Sequence, residues 1–299
     1  MSEAVFPLVP RRRLIGLPFG EMRSARRGLG SDVASTRPYQ AGDDMSKIDW
    51  AASARLSSAK ASDEFVVREH FADESPRVVA AADRRPQMAL GPPPRRRLSK
   101  ARALRNALKL IGDSAIAARS LLGYLDHGAV EACWRPPAEH QLEPLDSPRP
   151  FSAPPDALSR ALDHLGGQRR DLPTGTFLFA LSDFLAPPGQ REWMRALEHG
   201  WDVVPVVIQD PVWERSFPDV AGLVVAVADP DTGAVRHVRL TRREAAGRRE
   251  THEARWARLL GDFRSLGLEP VVLPSGDPGE IASAFRRWAD ERIYVRGRA

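Results

Sequence analysis

The stretch TFLFALSD, from Thr176 to Asp183, is an apolar run that carries no charge before its final aspartate. An uninterrupted apolar run of this length is typical of a strand that a parallel sheet buries on both faces. RVVAAAD, from Arg77 to Asp83, has a similar form and also ends in aspartate. The runs WDVVPVVIQD (201–210) and LEPVVLP (268–274) predict two further buried strands.

Segments with helical spacing separate these strands. Ser99 can cap a helix whose apolar residues recur at three- and four-residue steps up to Leu122. The run AVEACW (129–134) then predicts a strand, and shorter helices are expected at 156–165 and 191–199. This alternation predicts an α/β fold with a doubly wound, mostly parallel sheet.

Two segments depart from the alternation. The first 75 residues show little helical periodicity and hold glycine turns and the strand-like run EFVVREHF (64–71), so they predict an N-terminal β/loop appendage. LVVAVADPDTGAVRHVRL (223–240) places two β-rich runs around DPDTG and predicts an inserted β-hairpin. We therefore expect residues 1–75 to form a β/loop segment and residues 76–299 to form the main domain.

Composition narrows the possible classes of protein. The chain has 44 Lys and Arg against 39 Asp and Glu, and its short basic runs are scattered, so we expect no nucleic-acid binding. The single cysteine, Cys133, permits no internal disulfide. No apolar run approaches the ~20 residues that a membrane helix needs. The N-terminal basic run follows its apolar residues, the reverse of a signal peptide, so we expect a soluble, cytoplasmic protein without membrane insertion.

The strands that end in Asp83 and Asp183 place two carboxylates at the edge where doubly wound sheets bind ligands. This layout resembles a von Willebrand factor A-like domain, which holds a metal ion with Asp-x-Ser-x-Ser after its first strand and an aspartate after its fourth. Here Arg85 and Gln87 stand at the two serine positions. Mg²⁺ prefers about six hard oxygens, so Asp83, Gln87 and Asp183 would make only a degenerate Mg²⁺ site, and we expect no cofactor. The alternative is that Arg85 itself replaces the ion by pairing with Asp83 or Asp183.

The segment YQAGDDMSKIDWAASAR (39–55) carries the most specific pattern in the chain. With its flanks, from residue 23 to residue 83, it resembles the bacterial family catalogued as domain of unknown function 58, whose members carry a von Willebrand factor A-like domain. The matches, in chain order, are Arg23-Ser24, Gly28 and Gly30, Arg37 and Tyr39, Gly42-Asp43-Asp44, Ile48-Asp49-Trp50, Ser53-Ala54-Arg55 and Val67-Arg68-Glu69. The chain departs from the family pattern at Val33, where an aromatic is usual, and at Ser46, where an arginine is usual.

The Gly-Asp-Asp step at 42–44 has three interpretations. A catalytic pair would need further carboxylates on a neighbouring strand for two-metal chemistry, and the sequence offers no such context. A docking surface would present Tyr39 or Arg55 to a partner. The third interpretation is a structural turn, which is compatible with docking because a docking surface needs a rigid support.

In the structural interpretation, Gly42 permits the turn and Asp43 or Asp44 accepts backbone N–H groups. Ile48 and Trp50 would anchor the segment against the sheet. The arginines available to pair with the carboxylates are Arg37, Arg55 and Arg68.

The resemblance also implies a function. The family's genes typically accompany a MoxR-type AAA+ ATPase and other von Willebrand A proteins. It therefore implies a non-enzymatic protein-binding adaptor or scaffold that acts with this ATPase in the assembly or maturation of a complex. The alternative is a divalent-cation-dependent binding module in which Asp83, Gln87 and Asp183 hold an ion. The chain has no His-x-x-x-His pair, Gly-x-Ser-x-Gly elbow or phosphate-binding glycine loop, so we do not expect an enzyme.

Overall fold

The computed structural model describes residues 5–11, 23–40, 45, 48–60, 65–73, 77–89, 98–139, 149–229 and 234–296. The chain divides into two compact units, of which the first is Arg12–Pro76 and the second combines Met1–Arg11 with Arg77–Ala299. The expected division into a β/loop segment, residues 1–75, and a main domain, residues 76–299, stays a prediction.

The first unit contains two strands and a helix. Strand β1 (Arg23–Pro38) pairs with β2 (Val66–Asp73) in antiparallel fashion, and the register shifts where Gly28 and Val33 both lie opposite His70. Helix α1 (Trp50–Lys60) lies between them in the chain. This helix was not expected in a β/loop segment, because WAASARLSSAK has no apolar stripe at helical spacing.

The second unit is built on a six-stranded sheet. Its strands are β3 (Arg77–Ala82), β4 (Leu121–His127), β5 (Ala132–Ala138), β6 (Phe177–Ser182), β7 (Asp202–Ile208) and β10 (Val271–Leu273). They lie in the order β5-β4-β3-β6-β7-β10, and all neighbours are parallel except β5, which is antiparallel to β4. This confirms the doubly wound, mostly parallel sheet. Chain order reverses between β3 and β6, the place where such folds bind ligands.

In the part of this unit that the structure describes, five helices cover the two faces of the sheet. They are α2 (Lys100–Ala117), α3 (Ala157–Gly166), α4 (Gln190–Glu198), α5 (Arg242–Ser265) and α6 (Pro278–Arg296). Because side chains alternate along a strand, Leu178 and Ala180 of β6 face the core built with α3, α4 and α5. Phe179 faces the opposite core and contacts Phe285 and Trp288 of α6. None of the described helices is both long and apolar enough to cross a bilayer.

The region after α2 corrects one prediction. The helix ends at Ala117, and residues 121–127 form strand β4, which sequence analysis had assigned to the helix as far as Leu122. The three- and four-residue apolar steps continue past Ala115, but Arg119 has a left-handed backbone (φ 51°) that stops the helix. The strand predicted at 129–134 begins at Ala132.

The predicted inserted hairpin is confirmed. Strand β8 (Val224–Ala228) pairs in antiparallel fashion with β9 (Val235–Arg239). Among the described strands these two form a sheet of their own, separate from the six-stranded sheet.

Candidate functional site

The two strand-terminal aspartates meet at the switch point of the sheet. Asp83 follows β3 and Asp183 follows β6, and these neighbouring strands run parallel. The Asp83 N–H donates to the carbonyl of Leu181 at 2.9 Å, which extends the pairing to the strand ends. Both carboxylates are buried. The predicted convergence of Asp83 and Asp183 is therefore correct.

Arg85 lies between the two carboxylates. Its Nη2 is 2.5 Å from Asp83 Oδ2 and 2.9 Å from Asp183 Oδ1, and its Nε donates to both oxygens of Asp83. The amide oxygen of Gln87 accepts from Arg85 Nη1 at 2.8 Å in the orientation that satisfies both groups. The guanidinium is buried with its partners. The alternative in which Arg85 pairs with the aspartates is confirmed, and it pairs with both.

Lys100 supplies a second buried cation that sequence analysis did not identify. From the first position of α2 its Nζ lies 2.8 Å from Asp183 Oδ2 and 2.7 Å from Glu214 Oε1. The helix dipole disfavours a lysine at a helix N-terminus. This unfavourable position was the one feature of the sequence that could have indicated that Lys100 pairs with acidic side chains elsewhere in the fold. Its acidic partners lie 83 and 114 positions away in the chain, beyond the reach of any local pattern.

Ser182 completes what we name the switch-point cluster, which comprises Asp83, Arg85, Lys100, Ser182, Asp183 and Glu214. The Ser182 hydroxyl donates to Asp83 Oδ2 at 2.6 Å and accepts from the Phe184 N–H at 3.0 Å. Every buried carboxylate of the cluster thus accepts at least one charge-assisted hydrogen bond. Such bonds are stronger than hydrogen bonds between neutral groups.

The charges of the cluster support one another. Burial by itself raises the pKa of Asp183, but attraction by Lys100 and Arg85 outweighs it and holds that pKa below its ordinary value. Burial by itself lowers the pKa of Lys100, but Asp183 and Glu214 outweigh it and raise that pKa above its ordinary value. Lys100 and Asp183 are therefore ionised together at neutral pH.

The donor set does not fit a divalent cation in this arrangement. Mg²⁺ needs free oxygens at about 2.1 Å, whereas Asp83 Oδ2 already accepts from Arg85 and Ser182. Both oxygens of Asp183 are likewise engaged, by Arg85 and by Lys100. An ion here would have to displace a buried guanidinium, which would remain charged and lose its partners.

A second buried network closes the carboxyl end of β4. Arg84 donates to the Tyr124 hydroxyl at 3.0 Å, and that hydroxyl donates to Asp126 Oδ2 at 2.8 Å. Arg149 also donates to Asp126 Oδ2, at 2.6 Å. Burial raises the pKa of Tyr124. The acid at this strand end is therefore paired internally, as in the switch-point cluster.

In the first unit, two residues of the family pattern have structural roles. Asp49 Oδ1 accepts from the Ala52 N–H at 3.0 Å and so caps α1. Ser53 Oγ accepts from the Val66 N–H at 2.9 Å, and the Asp49 N–H donates to the Val66 carbonyl at 2.8 Å. These bonds tie α1 to β2, and buried Ile48 bridges to Val67.

Trp50 does not anchor the segment, contrary to the expectation. Its side chain is 60% exposed. It packs edge-to-face on the exposed ring of Phe65, with ring centroids 5.9 Å apart. Because Trp50 is the first residue of α1, its side chain projects from the helix end while Ile48 takes the buried position. Arg55 is also exposed, and Tyr39 is half-buried, with its N–H donating to the Phe65 carbonyl.

Gly42, Asp43 and Asp44 lie outside the described residues. Arg37 and Arg68 belong to β1 and β2, but their side chains lie outside the description. The three interpretations of the Gly-Asp-Asp step therefore stay predictions.

Comparison with known proteins gives matches across both units. Residues 35–258 match the family described as Protein of unknown function DUF58. Uncharacterized protein Rv1480 of Mycobacterium tuberculosis is 26% identical over 250 residues, which cover 77% of this chain and 70% of that protein. An aerotolerance-related membrane protein from Bacteroides fragilis is 15% identical, with 73% of this chain and 100% of that chain covered and a TM-score of 0.45. BatB from Bacteroides thetaiotaomicron is 16% identical, and the match covers 74% of this chain and 100% of that chain with a TM-score of 0.39.

Proposed function

Since this chain belongs to the protein family DUF58, we propose that it is a non-enzymatic protein-binding adaptor or scaffold that docks a partner on its first unit. The docking surface is what we name the aromatic patch, formed by Trp50 and Phe65, whose rings contact each other. Both side chains are exposed. Tryptophan in particular dominates the binding energy of many protein interfaces.

The observation that carries this proposal is the exposure of Trp50 on a rigid support. The residue before it, Asp49, is buried and caps the helix, and Ser53 one turn later is buried and bonded to β2. These bonds hold the backbone beside Trp50 in place and leave its indole exposed. Trp50 and Phe65 are two exposed aromatic rings in contact, and exposed apolar patches mark interaction sites.

The switch-point cluster supports a role without catalysis. Catalytic acids and bases must exchange protons with a substrate at the working pH. Here the carboxylates of Asp83 and Asp183 are buried against Arg85 and Lys100, and attraction by Lys100 and Arg85 holds the pKa of Asp183 below its ordinary value. The cluster acts as an internal support for the loops at this edge of the sheet.

The proposed partner is a MoxR-type AAA+ ATPase, together with other von Willebrand A proteins. This part of the proposal rests on the family resemblance. In it the chain connects the ATPase to a complex that is being assembled or matured, in the cytoplasm, and uses no cofactor.

We expect Trp50→Ala to abolish recovery of the ATPase when the protein is purified from its native cell. Loss of a tryptophan hot spot costs about 2 kcal/mol or more, which is roughly a thirtyfold loss of affinity. Tyr294→Ala is a matched control, because Tyr294 is aromatic and also 60% exposed but lies on α6. Both variants are compared with the original chain by mass spectrometry of co-purified proteins, in ATP and in ADP.

Equal recovery with both variants, at unchanged thermal stability, would move the contact away from the aromatic patch. Recovery of no ATPase even with the unmodified chain, in either nucleotide, would contradict the partner assignment itself.

The second candidate is the divalent-cation-dependent binding module. One observation favours it, because Asp83 and Asp183 do meet at the switch point. We expect Mg²⁺ or Mn²⁺ at millimolar concentration to leave the melting midpoint unchanged, since Arg85 and Lys100 already neutralise the carboxylates. A ligand that binds only the folded state raises the midpoint. A rise that EDTA reverses would therefore favour the second candidate.

A further inference from the structure

The hairpin of β8 and β9 has one covered face and one uncovered face. Val238 packs on a small core of Phe217, Leu240 and Ala245. The alternate side chains point away from that core and form what we name the outer face, which consists of Val224, Ala226, Val235, His237 and Arg239. Val224 is 63% exposed and Val235 is 58% exposed. A two-stranded sheet is only marginally stable alone. Leaving its valines exposed to water therefore does not stabilise the hairpin, which indicates that the outer face has a role other than stability.

The outer edge of β9 also has backbone groups without a strand partner. The Asp229 N–H donates to the Ala234 carbonyl at 2.9 Å, which sets the register of the ladder. Because hydrogen-bonded pairs alternate along an antiparallel ladder, the pairs 227–236 and 225–238 exchange bonds. The N–H and carbonyl groups of Val235, His237 and Arg239 then point outward. In the described part of the chain no third strand joins this sheet.

The edge of β9 is strongly basic. Four arginines fall within residues 236–243, namely Arg236, Arg239, Arg242 and Arg243. All four side chains are exposed. None of them forms an ion pair with any residue that the structure describes. Arg242 and Arg243 occupy the first turn of α5, where the helix dipole disfavours positive charge, so they do not serve the helix.

We propose that the outer edge of β9 binds an extended acidic segment of a partner protein as an added β-strand. The backbone groups of Val235, His237 and Arg239 supply the ladder bonds. Val235 packs against the partner's apolar side chains, and the four arginines attract its carboxylates. Along β9 the order Val235, Arg236, His237, Val238, Arg239 places apolar and basic side chains on both faces of the edge, which calls for a segment that carries both apolar and acidic residues. The proposal uses no residue of the aromatic patch and does not rest on the proposed function.

The probe is a fluorescent peptide of roughly eight residues in which glutamate and valine alternate, and its binding is followed by fluorescence anisotropy. We expect the double variant Arg236→Glu with Arg239→Glu to weaken binding by roughly tenfold or more at ~0.1 M salt. The matched control is Arg258→Glu with Arg264→Glu, which makes the same charge change at exposed positions of α5. The control should bind within about twofold of the unmodified protein, since charges far from a binding surface are screened by salt.

Strand addition is tested on the unmodified protein, so that the result does not depend on a variant's folding. The same peptide carrying N-methyl groups on every residue cannot donate ladder bonds along either edge and should bind at least roughly tenfold more weakly. Equal binding of the N-methylated peptide would overturn the added strand. Equal weakening by the control variant would overturn the assigned surface.

Two further outcomes would overturn the choice of partner. Competition by an RNA oligonucleotide as effective as that of unlabelled peptide would mean that the arginines bind polyanions in general. Self-association in sedimentation that the double variant abolishes, without any peptide binding, would mean that the occupant is a second copy of this chain.

Discussion

Replacing Arg85 by leucine is expected to lower the free energy of unfolding of the second unit by about 3–5 kcal/mol, the usual cost of removing one partner from a buried ion pair. The variant would leave Asp83 and part of Asp183 without their cation in a place that water does not reach. Lys100 would still neutralise one oxygen of Asp183. Urea denaturation at neutral pH, followed by the fluorescence of buried Trp193 and Trp201, measures the change.

The control for Arg85→Leu is Arg195→Leu. Arg195 forms an ion pair with Asp163 at 2.9 Å, but both side chains are more than half exposed. Exposed pairs contribute about 0–1 kcal/mol, because water and salt screen them. If the two substitutions lowered the free energy of unfolding equally, burial would not be the reason that the Arg85 ion pairs stabilise the fold.

Acidic pH separates an electrostatic effect of Arg85 from a packing effect. The pKa of Asp183 is depressed in the folded protein from an ordinary value of 3.8. Its pairing therefore stabilises the fold fully above that ordinary value, and the stabilisation is lost as pH falls through the lower folded pKa. In the Arg85→Leu variant the buried carboxylates can protonate more easily. The difference in stability between the two proteins should therefore shrink below about pH 4; a constant difference would indicate lost packing.

Replacing Phe6 by alanine is expected to lower the free energy of unfolding of the second unit by about 3–5 kcal/mol, the range for a buried phenylalanine. The ring of Phe6 lies 4.7 Å from that of Phe285 and 6.0 Å from those of Phe179 and Trp288. The Phe6 N–H donates to Ser114 Oγ at 3.1 Å. The substitution would open a cavity between the sheet and α6, where close-packed aromatic side chains cannot fully collapse.

The neighbouring residue provides the control for Phe6→Ala. Val5 is exposed, so Val5→Ala should change the unfolding free energy by about 0.5 kcal/mol or less. The same urea transitions report both variants. A small effect of Phe6→Ala, equal to that of Val5→Ala, would mean that residues 5–11 do not contribute to the stability of the second unit.

The position of residues 5–11 shows a limit of inference from sequence. Sequence analysis grouped them with the first 75 residues, whereas their side chains pack in the second unit, 100 or more residues away in the chain. Nothing in VFPLVPR indicates its destination. Such a short apolar segment can fill any hydrophobic gap of the right size, and the gap is formed only when β6 and α6 come together.

Part of the switch-point cluster could be predicted from the sequence. The ends of β3 and β6 identified Asp83 and Asp183, and the absence of serines near Asp83 pointed to Arg85 as a substitute for an ion. Lys100 and Glu214 were not identified. Glu214 lies in the loop after β7, and its meeting with the start of α2 depends on how the chain crosses the sheet.

The sequence by itself determined the class of fold, the inserted hairpin and the family. Strands buried on both faces need continuous apolar runs such as RVVAAA and FLFALS, and such runs can be recognised without knowing their neighbours. Only the tertiary structure decided which charges neutralise Asp183, which aromatic side chain of the first unit stays exposed, and where α2 gives way to β4. The physical reason is that each of these outcomes depends on contacts between distant segments, whereas periodicity reports only the burial of a single element.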